Sequence, residues 1–178
     1  MSDFPIKTQR LNLRLAVASD APNMLKLFNQ ADFIANIRDK KLRSVAEVEK
    51  EINGLMKKHQ EDHGFSMYVM DTSDEACIGL CGLVKRDELD IPDIGFAILS
   101  DYQGMGYVKE AGQAVLNHGF NTLNLDKIAA IVKPDNMPSI AVINSLGLGF
   151  VKGFQLKPEE PNLKYFELSK STYLKQNR

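Results

Sequence analysis

The chain opens on an alternation of apolar and polar positions. Residues 10–17, RLNLRLAV, place Leu11, Leu13 and Leu15 on one side, which predicts a first half-buried strand. The period then lengthens. Asp20 stands where a helix cap is expected, Pro22 lies near the first turn, and Met24, Leu25, Leu27 and Phe28 supply an apolar face. Residues 31–43 show no clean period. Ser44 and Glu47 have the spacing of a capping box, opening a helix to about His59 that Gly64 breaks. Residues 65–70 and 76–84 read as two strands joined by the turn Thr72-Ser73-Asp74-Glu75, a hairpin. Pro92 precedes a third apolar run, Ile94 to Leu99. Gly104 and Gly106 then stand just before an amphipathic segment from Tyr107 to about Leu123, whose inward face uses Val108, Ala111, Val115, Leu116 and Phe120. A strand over 127–132, a helix over 136–146 stopped by Gly147, and strands over 149–154 and 163–168 complete the chain. The pattern predicts one mixed α/β domain over residues 1–178, with about seven strands and about four helices.

Composition narrows the function classes. A chain of 178 residues is long enough for one sizeable core. The net charge of −1 gives no basic excess, so no nucleic-acid partner is expected. No apolar run reaches membrane-spanning length and no signal-peptide core opens the sequence, so the expected setting is cytoplasmic and reduced, without a membrane partner. Cys77 and Cys81 lie four apart in what reads as one strand, facing the same side, and are expected to be small core residues rather than a disulfide. His59, His63 and His118 are scattered and form no ligand pattern, so no metal is expected.

The informative unit is strand, glycine-bearing turn, helix. A helix N-terminus offers unpaired N–H groups and a partial positive charge, and so receives anions. Glycines at 104 and 106 let the backbone approach a pyrophosphate and adopt positive φ. The chain lacks the Gly-Lys-Ser/Thr ending of a P-loop, and Lys109 stands where a dinucleotide fingerprint needs its third glycine. Alone, a Gly-x-Gly before a helix is more often a tight turn.

The surroundings carry more. Gln103, Gly104, Met105, Gly106, Tyr107 and Val108 fall in order on the Gln/Arg-x-x-Gly-x-Gly/Ala loop, and the chain resembles the GNAT superfamily of acetyltransferases there. Val108 departs from the small residue usual at the last position. Residues 7–15, KTQRLNLRL, residues 78–111 and residues 134–151 are similar to the branch that includes ribosomal-protein N-terminal acetyltransferases, where Trp is common at the position of Gln103. The resemblance implies an acyltransferase fold with a central mixed, mostly antiparallel sheet, its strands splayed at the coenzyme A site.

The resemblance also implies roles. Backbone amides from Gln103 to Lys109, including those of Met105 and Tyr107, would cradle the pyrophosphate of acetyl-CoA. The strand end at Ala97, Ile98 and Leu99 would pair with the pantetheine arm like an added strand, with the Ile98 amide polarising the thioester oxygen. Asn136 would contact the pantetheine. Asp93, at a position where many members carry Glu, is the candidate water-mediated base. Many members place a proton-donating Tyr where Ile143 stands here, so Ser139, one helical turn after Asn136, is the candidate acid. Phe33, Ile37, Arg38 and Arg86 are candidate acceptor-lining residues, with Asp39, Arg43, Phe65, Tyr68 and Tyr165 as further lining. Asp87 is the alternative partner for Arg86. The implied activity is direct transfer of an acetyl group to a primary amine, a protein N-terminus or a small molecule, by a monomer or homodimer. The off-pattern Val108 and Ile143 keep open a non-catalytic acyl-CoA-binding module.

Overall fold

The computed structural model describes residues 4–178. Its sheet runs β1-β2-β3-β4-β5-β6-β8-β7, where β1 is Ile6–Lys7, β2 Asn12–Arg14, β3 Met67–Asp71, β4 Gly79–Val84, β5 Asp93–Ile98, β6 Lys127–Val132, β7 Gly149–Phe154 and β8 Leu163–Ser169. Every neighbouring pair is antiparallel except β5 and β6. The expected first strand is shorter than its alternation suggests, because Thr8 folds back: its N–H donates to the Leu11 carbonyl, and the Leu11 N–H donates to its hydroxyl, each at 2.9 Å. That turn creates β1, the eighth strand, from residues whose pattern carried no signal.

Among the described residues seven α-helices flank the sheet: α1 Ala21–Phe28, α2 Ala31–Asn36, α3 Val45–Glu51, α4 Lys57–His63, α5 Tyr107–Asn117, α6 Met137–Ser145 and α7 Lys170–Gln176. A wide π-helical turn, Ile52–Met56, joins α3 to α4, so the predicted helix is continuous in path. Ser44 accepts from the Glu47 N–H, and the Glu47 carboxylate accepts from the Ser44 N–H. Gly64 ends α4 at φ 77° and Gly147 follows α6 at φ 90°, the left-handed conformation glycine tolerates. Asp20 does not cap α1 with its side chain. Its carboxylate, buried, accepts from both Nη atoms of Arg14 at 2.8 Å and from the Val17 N–H.

The two larger cores lie on opposite faces, and a small third cluster joins Leu89, Ala129 and Tyr165. One packs Leu13, Tyr68, Cys81, Ile94, Ile128 and Phe166 beneath α5, α6 and α7; the other packs Val69, Cys77, Leu80 and Leu99 beneath α1, α2 and α3. Cys77 and Cys81 therefore do not share a side, contrary to the strand reading. Cys77 precedes β4 with φ 54°, and Asp71 holds its N–H at 2.8 Å, so the alternation restarts after it. Both thiols are buried, and burial pushes each up to about 12.

Candidate active site

β5 and β6 pair at one register point, Asp93 with Ala129, where the Ala129 N–H donates to the Pro92 carbonyl at 2.9 Å. Beyond it the two strands diverge, leaving a V-shaped gap in the sheet. β5 then leads into α5, and β6 leads through residues 133–136 into α6, so two helix N-termini stand at the open end. The Leu99 N–H donates to the Ile78 carbonyl on the β4 side. Strand alternation therefore turns the Ala97 and Leu99 main chain toward β4 and the Ile98 N–H and carbonyl into the gap.

The loop after β5 is a short 3-10 turn, Ser100–Tyr102, followed by Gln103, Gly104 at φ 73°, Met105 and Gly106 at φ 81°. A side chain at Gly104 would meet nothing within 4 Å, so that glycine serves its backbone angle and leaves the space in front open. The first backbone bond into α5 is Glu110 N–H to Gly106 carbonyl, at 3.1 Å. Among the described residues no protein acceptor faces the N–H groups of Gly104, Met105, Gly106, Tyr107, Val108 or Lys109. The Val108 side chain packs partly buried against the core, away from that backbone surface.

Residues from α2 close one side of the gap. Gln30 donates to the Ile98 carbonyl at 3.2 Å and accepts from the Ser100 N–H at 2.8 Å, so its amide lies along the end of β5 as a parallel strand would. Gln103 donates to Asp32 at 2.6 Å. On the β6 side, the Lys133 ammonium bonds the Ala35 carbonyl. α2 thus spans from one lip of the gap to the other. Of the candidate acceptor residues, Phe33 is buried against Phe28, with ring centroids 5.3 Å apart, while Ile37 and Arg38 are exposed. Asp39 and Arg43 pair with each other at 2.6 Å. Phe65 and Tyr68 lie in the core under α5.

Asp93 sits at the apex of the V, 1% exposed, with Arg86 Nε donating to its Oδ1 at 2.7 Å. Arg86 takes this partner rather than Asp87. Burial pushes the Asp93 carboxyl up from the ordinary range, and the Arg86 charge and hydrogen bond oppose that. Five residue steps, roughly 16 Å of extended strand, lead from it to Ile98, so proton traffic between them needs water. The loop carrying Arg86 is tied back: the Lys85 N–H donates to His59 Nε2 at 3.0 Å, and His59 Nδ1 therefore donates to the Phe65 carbonyl. Beside the apex, Tyr165 is buried and donates to Glu167 at 2.9 Å; burial, first, and the Glu167 contact raise its phenol. A hollow of about 370 Å³ opens there, lined by Leu89, Asp90, Lys127, Phe154, Tyr165 and Glu167. A wider hollow of about 790 Å³, over α3 and α4, shares no residue with the gap.

On α6, the Asn136 side-chain oxygen accepts from the Ser139 N–H at 3.3 Å, leaving the Asn136 amide nitrogen for another acceptor. The Ser139 hydroxyl is half-buried and makes no protein hydrogen bond among the described residues. Ile143 is 2% exposed and belongs to the core.

The family model described as acetyltransferase (GNAT) domain matches residues 10–149, a span that begins in the turn before β2 and includes the whole V. The chain belongs to the GNAT acetyltransferase family. An uncharacterized N-acetyltransferase, p20, of Bacillus licheniformis is 32% identical over 143 residues, 78% of this chain and 79% of that protein. The spermidine N(1)-acetyltransferase of Escherichia coli K12 is 30% identical over 98 residues, 54% of this chain and 52% of that one. A solved RimL ribosomal L7/L12 alpha-N-protein acetyltransferase in complex with coenzyme A superimposes with a TM-score of 0.78 at 20% identity, covering 91% of this chain and 95% of that one. As a family member the chain is an acetyl-CoA-dependent N-acetyltransferase. Among the described residues no helix is long and apolar enough to cross a membrane, and no group of His, Cys, Asp and Glu is placed to hold a metal ion.

One residue that the sequence pattern left unmarked reaches the glycine loop before α5. Arg10 bonds the Met105 carbonyl, and its partner Glu110 lies 100 positions along the chain, a pairing that no local motif reveals.

Proposed function

We propose that this chain transfers the acetyl group of acetyl-CoA directly to a primary amine in a ternary complex, in the cytoplasm, as a monomer or homodimer. The observation that carries the reading is the V between β5 and β6 with the unpaired N–H groups of residues 104–109 at its open end. The residues present fit the cosubstrate. Six consecutive amides and the α5 N-terminus suit a pyrophosphate. Apart from the Gln30 amide at the Ile98 carbonyl, the strand position beside β5 is open, and that edge suits a pantetheine amide as an added strand. An Ile98 N–H turned to the thioester oxygen would stabilise the charge that develops there as the amine attacks.

Direct attack is favoured because the chain offers no poised thiol: Cys77 and Cys81 are both buried with raised pKa values. The amine must arrive neutral. An α-amine, with an ordinary pKa of about 8, is closer to that state at pH 7 than a lysine at about 10.4. Asp93 receives the proton through water, and Ser139, on the α6 side, donates to the departing thiolate. Ile37 and Arg38 on α2, and Arg86 at the apex, line the acceptor approach, with Phe33 supporting α2 from beneath.

An acceptor screen with acetyl-CoA tests this, using peptide N-termini, polyamines and free amino acids and reading free thiol. The expected result is thiol release with one amine class and intersecting initial-rate plots. Parallel plots would indicate an acyl-enzyme instead. Tight coenzyme A binding with no thiol release for any acceptor would leave a non-catalytic acyl-CoA-binding module.

A further inference from the structure

We infer that Arg10 is a positioning residue of the cofactor loop, acting through the Met105–Gly106 peptide and through Glu110; this rests on the loop being the pyrophosphate cradle. Arg10 stands between β1 and β2, in a turn that Thr8 closes. Its Nη1 donates to the Met105 carbonyl at 2.9 Å, its Nε to Glu110 Oε2 at 2.7 Å and its own N–H to Glu110 Oε1 at 2.7 Å. The Thr8 hydroxyl donates to that same Oε1 at 2.6 Å. The guanidinium lies 4.6 Å from the centroid of the Tyr107 ring.

Two consequences follow from geometry and charge. A trans peptide points its carbonyl and its N–H in opposite directions. By holding the Met105 carbonyl on the β2 side, Arg10 turns the Gly106 N–H the other way, toward the open face of the loop. The second consequence concerns Glu110, the acidic residue in the first turn of α5. An anionic cofactor bound at that helix end would meet this carboxylate as a like charge. Burial pushes Glu110 up, but the bonds from Thr8 and Arg10 outweigh it and hold the carboxyl below its usual range, so Glu110 is ionised at neutral pH. Arg10 cancels that charge where it would repel phosphate. Gly106 belongs to the same arrangement: a Cβ there would lie 3.4 Å from Arg10 Nη2.

The test compares the unsubstituted protein with Arg10→Ala, Arg10→Lys, Glu110→Gln and the double variant Arg10→Ala/Glu110→Gln. Readouts are KM for acetyl-CoA, KM for the acceptor, kcat and the unliganded melting temperature. Arg10→Ala is expected to raise the acetyl-CoA KM by about tenfold or more, the loss of one charge-assisted hydrogen bond, with the acceptor KM little changed. Adding Glu110→Gln to Arg10→Ala should recover part of that rise, since the uncancelled charge is gone. Arg10→Lys should recover the charge effect but not the fixed peptide. An unchanged acetyl-CoA KM in Arg10→Ala, or no recovery in the double variant, would overturn the inference. Equal changes in both KM values tracking a lower melting temperature would reduce Arg10 to a fold-stabilising residue and overturn it as well. Stabilisation of the unsubstituted protein by coenzyme A separates the two levels. If it is present and Arg10→Ala behaves as wild type, the inference alone fails; if it is absent, the cradle reading fails beneath it.

Discussion

The proposed proton chemistry assigns its two steps to side chains with opposite environments. Asp93 is buried at the apex with Arg86 as its partner, and burial raises its carboxyl. If it takes the proton, activity should fall as pH drops through a value above the ordinary carboxylate range. Asp93→Asn should abolish that limb and lower kcat by about 100-fold. Arg86→Gln removes the charge that opposes burial, so its limb should move to higher pH. Stability gives an independent readout of the same group. A folded-state pKa above the unfolded one stabilises the fold at low pH, and that contribution is lost as pH rises through the folded value. Denaturant melts from about pH 4 upward should show this loss in the wild type and a flatter profile in Asp93→Asn; identical profiles would remove Asp93 from the account. Ser139 is the contrasting case, a half-buried hydroxyl without a protein partner among the described residues. Ser139→Ala should cut kcat by about tenfold with little change in acetyl-CoA KM, and an unchanged kcat would assign protonation of the thiolate to water.

Elements were legible where their signals are local. The Ser44/Glu47 capping box, the left-handed stops at Gly64 and Gly147 and the β3–β4 hairpin all rest on residues within a few positions of each other. β1, α2 and α7 were not, since each is short and fixed by distant partners: β1 by the Thr8 turn, α2 by Gln103 and Lys133, and α7 by docking Tyr173 in the core. The glycine turn before α5 was legible, whereas Gln30 and Arg10, which brace it, were not, because their partners lie 68 to 100 positions away along the chain. Glycines also separate two jobs that look alike in sequence. A Cβ at Gly82 would lie 2.1 Å from the Ser66 carbonyl oxygen, which the backbone cannot yield without breaking β3 from β4. Gly82→Ala should therefore destabilise by about 3 kcal/mol or more. Gly104 has open space, so Gly104→Ala should cost only about 1–2 kcal/mol for its φ of 73°. Urea denaturation distinguishes them, and equal losses would contradict the β4 packing.

At the scale of the whole molecule, the site is assembled from parts that scarcely touch in sequence. Arg10 comes from the first turn, Asp32 from α2, Gln103 from the loop after β5 and Lys133 from the end of β6. A ligand filling the V would bridge two sheet halves held together at the apex by one register point. Binding to the folded state alone should therefore stabilise the chain globally rather than locally. At a coenzyme A concentration 100 times its dissociation constant the gain is about 2.7 kcal/mol. For a chain of 178 residues that corresponds to a rise of about 5–10 °C in Tm. Gly106→Trp forces a large side chain at φ 81° against Arg10, displacing the loop from its backbone angle and from that guanidinium, and should abolish the rise. Lys133→Ala loosens the α2 strap without touching the cradle, so it should keep most of the rise while altering the acceptor KM. If Lys133→Ala loses the coenzyme A shift as fully as Gly106→Trp, the two lips of the V are not independent, and the division into a cofactor side and an acceptor side is wrong.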